Sequence, residues 1–239
     1  MTQALVPLKD LVQAKTRLAG LLSPSERRAL AQVMLEDVLT VLASHPDISG
    51  VTLVSSDPSA HMLATQYGAR HWPETEMACR GLNAVAARAS ERLLADGGEP
   101  LLLVHADLPM LTAADVSAVL AARESAGLVV GCDRHGKGTN LLCFDAGSMP
   151  PFCFGADSCA RHVAAARSHG IAVTVLERAG IGLDVDEPAD LESLLSQLAG
   201  KDDSHTATLM HSTGLGARIG LALASLSPRA TPRDRQEVL

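Results

Sequence analysis

Apolar residues along this 239-residue chain recur with two alternating periods, one typical of strands and one typical of helices. Short apolar runs bounded by turn residues predict buried strands, and apolar residues every three to four positions predict amphipathic helices. The predicted strands are residues 4–8, 51–55, 101–104, 128–132, 140–144 and 172–176. The predicted helices are residues 24–43, 59–67, 82–95, 113–124, 158–169 and 188–198. This alternation predicts an α/β fold, a three-layer α/β/α sandwich with a mostly parallel sheet.

The alternation ends near Gly200, and this change divides the chain into two predicted parts. Residues 1–199 form the predicted domain, and residues 200–239 form a predicted linker followed by a weakly ordered C-terminal tail. The linker begins with a polar run after Gly200, and beyond it Gly, Ser and Pro interrupt the apolar pattern. One short helix, at residues 219–226, is predicted within the tail.

The composition narrows the class of protein. Hydrophobic residues make up 47% of the chain but aromatic residues only 2%, so the core must be built from Ala, Leu and Val, which suits helices packed on a parallel sheet. The net charge of −7 argues against a nucleic-acid partner. The apolar runs are too short to span a membrane, and no signal peptide is recognised, so we expect a cytoplasmic protein without a membrane partner. The five cysteines contain no Cys-x-x-Cys pair, which also fits a reducing compartment.

Three carboxylates lie at the ends of apolar, strand-like segments. Asp107 directly follows the run at residues 101–104, and Asp184 and Asp186 lie two positions apart just before Pro188. Residues i and i+2 of an extended segment share a face, so Asp184 and Asp186 can point the same way. Carboxylates so placed repel one another unless a cation lies among them, and Mg²⁺ is usually held by one or two carboxylates plus substrate phosphates. The alternative is that these residues only cap the helices that follow.

Three cations follow the first predicted strand: Lys9, Lys15 and Arg17. Ligands of such sheets bind beyond the carboxyl ends of the strands, which is where this loop begins. A lysine supplies a point charge and an arginine a planar fork, and charge that develops on a transferring phosphoryl group needs such partners. The loop is therefore a candidate triphosphate clamp. A solvated basic loop is the alternative.

Other nucleotide-binding and catalytic motifs are either matched only in part or not found in the sequence. Residues 131–138 match G-x-x-x-x-G-K, but a Gly follows the Lys and the next segment is strand-like, so a P-loop is rejected. The nine histidines form no ligand pair for zinc, and no nucleophile motif is recognised. Gly155 and Ser158 stand at the start of a predicted helix, where an anion can bind, although Ser158 could equally be only a helix cap.

Several of these motifs together resemble one enzyme family. They are Val6-Pro-Leu-Lys9, Ala14-Lys-Thr-Arg-Leu18, Leu22-Ser-Pro-Ser-Glu-Arg-Arg28, Gly81-Leu-Asn83, Ala106-Asp-Leu-Pro109, Asp133-Arg-His-Gly-Lys-Gly-Thr-Asn140, Phe154-Gly-Ala-Asp-Ser158, Ala160-Arg-His162 and Leu183-Asp-Val-Asp-Glu-Pro188. In this order, over residues 4–198, they resemble the CofC/FbiD family, the guanylyltransferases of coenzyme F-420 biosynthesis. The residues after Gly200 lie outside the resemblance. The implied fold is MobA-like, which is a nucleotide-diphospho-sugar-transferase-like (Rossmann-like) fold, and residues 1–199 would be the nucleotidyltransferase domain.

The resemblance also implies a reaction and the residues that serve it. GTP and a phosphorylated three-carbon acid would give a guanosine-diphospho acid and pyrophosphate, with the acceptor's own phosphate as the nucleophile. The implied residues are Asp107, Asp184 and Asp186 for one or two Mg²⁺ ions; Lys9, Lys15 and Arg17 for the triphosphate; Gly81 and Asn83 near the guanosine; and Thr139, Gly155 and Ser158 for the acceptor acid.

Members of this family differ in the acceptor. Residues near the motifs (His105, Cys153 and Cys159) resemble members that use 3-phospho-D-glycerate, so that acid is expected, with 2-phospho-L-lactate and phosphoenolpyruvate as alternatives. The expected partners are these small molecules, and a homodimer is left open. Two other classes are considered: a nucleotide-sugar glycosyltransferase, because Asp184-Val-Asp186 matches D-x-D, and a non-catalytic nucleotide-binding regulator. The basic loop argues against the first class, and the retained carboxylates argue against the second.

Overall fold

A seven-stranded sheet forms the centre of the protein in the computed structural model, which describes residues 1–200 and 203–226. The strands are β1 (Thr2–Leu8), β2 (Ile48–Ser55), β3 (Arg70–Pro73), β4 (Leu101–Val104), β5 (Leu128–Cys132), β6 (Thr139–Phe144) and β7 (Val173–Leu176). Their order across the sheet is β3-β2-β1-β4-β6-β5-β7. All neighbouring pairs are parallel except those of β6, which runs antiparallel to both β4 and β5. The predicted mostly parallel α/β sheet is confirmed.

Nine helices surround this sheet in the described residues. They are α1 (Pro24–Ser44), α2 (Ala60–Gln66), α3 (Leu82–Gly97), α4 (Ala113–Arg123), α5 (Ser158–Ser168), α6 (Ala179–Gly182), α7 (Pro188–Leu198), α8 (His205–Ser212) and α9 (Leu215–Leu226). Capping residues fix several of their starts. Ser23 forms a capping box with Glu26 before α1, and Thr112 forms one with Asp115 before α4. Pro24 and Pro188 occupy the first turns of α1 and α7, where no backbone donor is needed.

The two faces of the sheet bury two separate apolar clusters, as a three-layer sandwich requires. Alternate residues of a strand point to opposite faces. Ala4 and Val6 of β1 therefore pack with α1, α2 and α4 on one face, whereas Leu5 packs with α3 and α5 on the other. Both sets are fully or almost fully buried, and few aromatic rings take part, in line with the composition.

The C-terminal segment differs from the predicted linker and weakly ordered tail. Residues 205–226 form α8 and α9, and α9 begins at Leu215 rather than at residue 219. Met210, Leu215 and Ile219 are buried in a third apolar cluster that α1 and α7 complete. Asp37 of α1 accepts hydrogen bonds from the backbone N–H groups of His205 and Thr206, at 2.7 and 3.0 Å. Burial of these apolar side chains offsets the low helix propensity of the glycines. Residues 201, 202 and 227–239 of the predicted linker and tail lie outside the described residues.

Besides α8, two short elements were not predicted, namely β3 and α6. β3 has four residues at the edge of the sheet, and α6 is a single turn, so neither shows a clear hydrophobic period. The other predicted elements before residue 200 are present, with ends that differ by no more than three residues. None of the helices in the described part of the chain is long and apolar enough to cross a membrane.

Candidate functional site

A cleft of about 1000 Å³ opens where β1 and β4 end. Because these two strands are neighbours and parallel, their carboxyl ends lie at the same edge of the sheet. The loop after β1 and the turn after β4 form its walls. Seven charged residues line it, namely Lys9, Asp10, Lys15, Arg17, Glu74, Asp107 and Asp186. We call this the charged cleft.

The Lys15 ammonium group lies between two carboxylates in the charged cleft. Its Nζ atom is 2.5 Å from Asp107 Oδ2 and 2.8 Å from Asp186 Oδ1, and its side chain is only 7% exposed. Burial acts to lower the pKa of Lys15, but Asp107 and Asp186 outweigh it, so the pKa lies above its usual value. For Asp107, burial acts to raise the pKa, and Lys15 more than compensates and holds it below the usual value. Lys15 and Asp107 thus keep each other charged.

Asp184 lies nearby in a different environment. Its Oδ1 atom accepts a hydrogen bond of 3.1 Å from Asn140, which also donates to the Ile181 carbonyl at 2.9 Å. Burial, followed by repulsion from Asp107, raises the pKa of Asp184 to about 6. The three predicted metal ligands are therefore close enough to interact. As the side chains are arranged, however, no group of three or more His, Cys, Asp or Glu residues in the described part of the chain is placed to hold a metal ion.

The other two predicted clamp residues are solvent-facing. Arg17 forms an exposed ion pair of 2.8 Å with Glu187 at the start of α7, and the Arg17 side chain is 70% exposed. Lys9 follows β1 directly and is exposed at the rim of the charged cleft. The loop after β1 thus presents one buried and two exposed cations to the same space.

Thr139 and Ser158 come together around the imidazole of His162. Thr139 begins β6, Ser158 begins α5, and His162 lies one helical turn after Ser158, fully buried. The Thr139 hydroxyl is 3.0 Å from His162 Nδ1, and the Cys153 backbone N–H donates to His162 Nε2 at 2.8 Å. Burial lowers the pKa of His162 to about 4, against a hydrogen bond with the Ser158 backbone that favours the charged ring. We call Thr139, Ser158 and His162 the buried cluster.

The loop before α5 connects the buried cluster to helix α3. Gly155 in this loop has a φ of +121°, which side chains rarely adopt. Asn83 of α3 holds the same loop: its Oδ1 accepts from the Phe154 N–H at 2.7 Å, and its Nδ2 donates to the Phe154 carbonyl at 3.2 Å. Gly81 precedes α3 with a φ of +87°. Leu82, between Gly81 and Asn83, lines the charged cleft. The start of α3 therefore contacts both regions.

Comparison with known proteins identifies the family. A family model described as "Guanylyl transferase CofC like" matches residues 2–222. The chain belongs to this guanylyl transferase family. The match extends beyond residue 198, where the sequence resemblance ended, and includes α8 and much of α9.

Two named relatives cover most of this chain. It is 38% identical over 208 residues to the phosphoenolpyruvate guanylyltransferase of Sphaerobacter thermophilus, covering 86% of this chain and 99% of the relative. It is 37% identical over 197 residues to the 3-phospho-D-glycerate guanylyltransferase of Phenylobacterium zucineum, covering 80% and 88%. The family match and these similarities confirm the predicted guanylyltransferase class.

Solved structures with low sequence identity share the fold. A Desulfovibrio desulfuricans protein described as a nucleotide-diphospho-sugar transferase matches with a TM-score of 0.77 at 20% identity, covering 92% of this chain and 97% of that one. A nucleotidyl transferase from Methanothermobacter matches with a TM-score of 0.63 at 14% identity, covering 84% and 99%. The predicted nucleotide-diphospho-sugar-transferase-like fold is therefore confirmed.

The structure divides the predicted site residues between two places. The charged cleft is lined by Lys9, Lys15, Arg17, Asp107 and Asp186. Asp184 lies close enough to Asp107 for the charge of Asp107 to raise its pKa. The predicted acceptor residues do not line that cleft: Thr139 and Ser158 are 2% exposed in the buried cluster, and Gly155 lies in the adjoining loop. Their individual roles stay predictions.

Three hydrogen bonds of the site were not predicted from the sequence. Asn140 binds Asp184, His162 binds Thr139, and Asn83 binds the backbone of Phe154 instead of presenting a free amide. All three residues stand inside the motifs quoted above, so the sequence drew attention to them without assigning these contacts. The spacing of Ser158 and His162, four residues apart on one helix, was the signal that could have placed them together.

Proposed function

We propose that this protein transfers the guanylyl group of GTP to the phosphate of 3-phospho-D-glycerate and releases pyrophosphate, as a step of coenzyme F-420 biosynthesis. The observation that carries the proposal is the buried Lys15 ammonium held by Asp107 and Asp186 in a large cleft, in a chain that belongs to a guanylyl transferase family. Such a cleft offers both cations for phosphates and carboxylates for a divalent ion.

The reaction needs positioning and charge neutralisation more than an enzyme nucleophile. A phosphate oxygen of the acceptor forms a bond to the α-phosphorus of GTP, and the bond from that phosphorus to the bridging oxygen of the β-phosphate breaks, so pyrophosphate leaves. Lys9, Lys15 and Arg17 would offset the negative charge of the triphosphate as the leaving group departs. The cations all line one cleft, which supports this assignment.

A magnesium ion fits the donor set of the charged cleft. Asp107 and Asp186 direct one oxygen each to the same Lys15 Nζ, so two hard oxygen donors already converge on one cation. Two carboxylates are sufficient when substrate phosphates complete the coordination. Asp107 and Asp186 would hold the ion, and Asp184 would join them once ionised. When bound, the ion would supply neutralisation of the phosphate charge.

Lys15 has a second role in this proposal, because it can change partners. Without nucleotide its ammonium group neutralises the two carboxylates that the magnesium ion would otherwise neutralise. The arrival of a magnesium-bound triphosphate would free Lys15 from its carboxylates and bring it to the phosphates. The carboxylates would then be paired with a cation both before and after nucleotide binds, first with Lys15 and then with the magnesium ion.

The acceptor assignment rests on fewer observations. Thr139, Gly155 and Ser158 would bind the acid through a hydroxyl and backbone N–H groups at the start of α5, where an anion is favoured. The relatives include guanylyltransferases named for phosphoenolpyruvate and for 3-phospho-D-glycerate. We propose the latter because His105, Cys153 and Cys159 resemble that subgroup, and we retain phosphoenolpyruvate and 2-phospho-L-lactate as alternatives.

The test is a pyrophosphate-release assay with the full chain and Mg²⁺. GTP, ATP and CTP are each combined with 3-phospho-D-glycerate, phosphoenolpyruvate or 2-phospho-L-lactate. We expect release with GTP and 3-phospho-D-glycerate to exceed every other pair. Release with another acid would correct the acceptor alone. Nucleotide binding without release from any pair would contradict the proposed enzyme and favour the regulator class.

A further inference from the structure

His162 occupies a place in the buried cluster that fixes its protonation. The backbone N–H of Cys153 can only donate, and it points at His162 Nε2 at 2.8 Å. Nε2 must therefore carry a lone pair and no proton. The Thr139 hydroxyl, which can accept, lies 3.0 Å from Nδ1, and the ring also forms a hydrogen bond with the Ser158 backbone. The neutral ring consequently holds its proton on Nδ1.

Burial keeps the ring in this neutral form. His162 is fully buried, and Arg161 adds positive charge that disfavours a second proton. Burial is the largest cause, and the pKa of His162 is lowered to about 4. The neutral Nδ1–H form therefore persists at neutral pH. The edge of the ring also packs on Phe154, with the ring centroids 4.9 Å apart and the planes almost perpendicular.

The fixed ring in turn sets the direction of the Thr139 hydroxyl. That hydroxyl has one proton and two lone pairs, and a lone pair accepts the proton of His162 Nδ1. His162 is the only side chain in the described part of the protein that bonds Thr139 Oγ1. The Thr139 proton is therefore left free to be donated elsewhere. A donor whose direction is fixed before binding loses less entropy when an anion arrives.

We infer that His162 is a positioning residue that orients the Thr139 hydroxyl as a hydrogen-bond donor to an anionic oxygen of the acceptor acid. This inference rests on the proposed function, because Thr139 is assigned to the acceptor there. His162 itself touches neither substrate in this account. It is distinct from the acceptor residues, since it acts by the tautomer of its ring and not by contact with the acid.

Two substitutions distinguish the contact of His162 Nδ1 with Thr139 from the contact of Nε2 with Cys153. In His162→Asn the side-chain amide can place an N–H near the position of Nδ1 and keep the donor for Thr139, but it does not reach the Cys153 N–H. In His162→Gln the amide can accept from Cys153 but takes the donor away from Thr139. Both variants lose the ring, so each controls for lost packing in the other, and thermal denaturation reports that loss separately.

The expected kinetic result is a difference between these two variants. His162→Gln should raise the acceptor KM by roughly tenfold or more, as loss of a hydrogen bond to a charged group does. His162→Asn should keep the acceptor KM within about threefold of wild type, and the GTP KM should stay unchanged in both. In a Thr139→Val background, His162→Gln should add nothing further to the acceptor KM. Equal effects of the Asn and Gln substitutions, or a Gln effect that persists in the Thr139→Val background, would overturn the inference.

A second measurement decides the tautomer without any turnover. Nitrogen NMR of the wild-type protein labelled at histidine should find the proton of the buried His162 on Nδ1, with the His162→Asn spectrum assigning the signal. A proton on Nε2 would overturn the inference directly. If no acid supports pyrophosphate release, the proposed function fails, and the NMR result still decides whether His162 directs the Thr139 hydroxyl.

Discussion

The charged cleft and the buried cluster, which we propose bind different anions, are held together in opposite ways. In the charged cleft the ions neutralise one another, as Lys15 does with Asp107 and Asp186 and as Arg17 does with Glu187. In the buried cluster neutral groups hold one another in a single arrangement, through the imidazole of His162. Ion pairs can exchange partners when a charged ligand arrives, whereas a buried neutral network keeps its geometry.

This contrast matches the two substrates that we propose. A magnesium-bound triphosphate carries several charges, and its binding requires that existing ion pairs open. A three-carbon acid is small, and its close analogues differ by one group, so a rigid set of donors discriminates better than mobile charges do. The start of α3 joins the two regions, because Leu82 lines the cleft while Asn83 holds the loop at Phe154.

The largest expected effect comes from removing one charge of the cleft. Asp107→Asn should lower kcat by roughly a hundredfold or more, since the cleft loses a carboxylate of the proposed magnesium site. Lys15 would keep its contact with Asp186, so the fold should remain intact by circular dichroism. Asp47→Asn, at the opposite, amino end of β2, serves as the control and should retain activity. Near-normal turnover by Asp107→Asn in Mg²⁺ would remove that carboxylate from the mechanism.

A second effect should appear in the pH dependence of stability. The pKa of His162 is about 4 when folded and 6.5 in an unfolded chain, so between these values the unfolded state binds more protons. Stability should therefore be lost as the pH falls from 6.5 to 4, by about 2 to 3 kcal/mol in total. Urea unfolding at pH 7 and pH 4.5 would measure it.

The His162→Asn variant isolates the contribution of His162 to the pH dependence of stability. It lacks the imidazole and should lose less stability than wild type on acidification. Asp184, whose pKa is raised to about 6, contributes the opposite slope, but it does so in both proteins and cancels in the comparison. Parallel curves for the two proteins would show that His162 is not held neutral by the buried cluster.

The smallest expected effect concerns the exposed rim of the cleft. Arg17→Gln should change the free energy of unfolding by less than about 0.5 kcal/mol, because its pair with Glu187 is exposed. The GTP KM should nevertheless rise severalfold. Arg88→Gln, which removes a similarly exposed pair with Glu91 on α3, is the matched control and should leave the GTP KM unchanged. Equal KM values for the two variants would exclude Arg17 from the triphosphate contacts.

The sequence predicted most of the fold because the local patterns agree with the tertiary structure. Runs such as Leu101–Val104 are continuous and buried on both faces, and Ser23 and Thr112 cap their helices as their sequences indicate. The last two helices were the main difference. Their glycines weaken local propensity, and they are stabilised by contacts with distant segments, namely packing of residues such as Met210 and Ile219 against α1 and α7 and the hydrogen bonds to Asp37.

The site was predictable as a set of residues but less so as a set of contacts. Charged residues at strand ends pointed to the cleft, since parallel strands end at the same edge. The ion pairs of Lys15 could not be foreseen, because its two carboxylate partners lie about 90 and 170 residues away along the chain. The role that we infer for His162 depends in the same way on a backbone N–H donor from another segment, at Cys153.

The central claim, that the charged cleft serves GTP and the buried cluster serves the acceptor, is tested most directly by calorimetric titration of magnesium-bound GTP without acceptor. Lys15→Gln keeps a long polar side chain but loses the charge, and Thr139→Val keeps the shape but loses the hydroxyl. We expect Lys15→Gln to weaken GTP binding by roughly tenfold or more and Thr139→Val to change it by less than about twofold. Equal weakening by the two substitutions would contradict the division of the site.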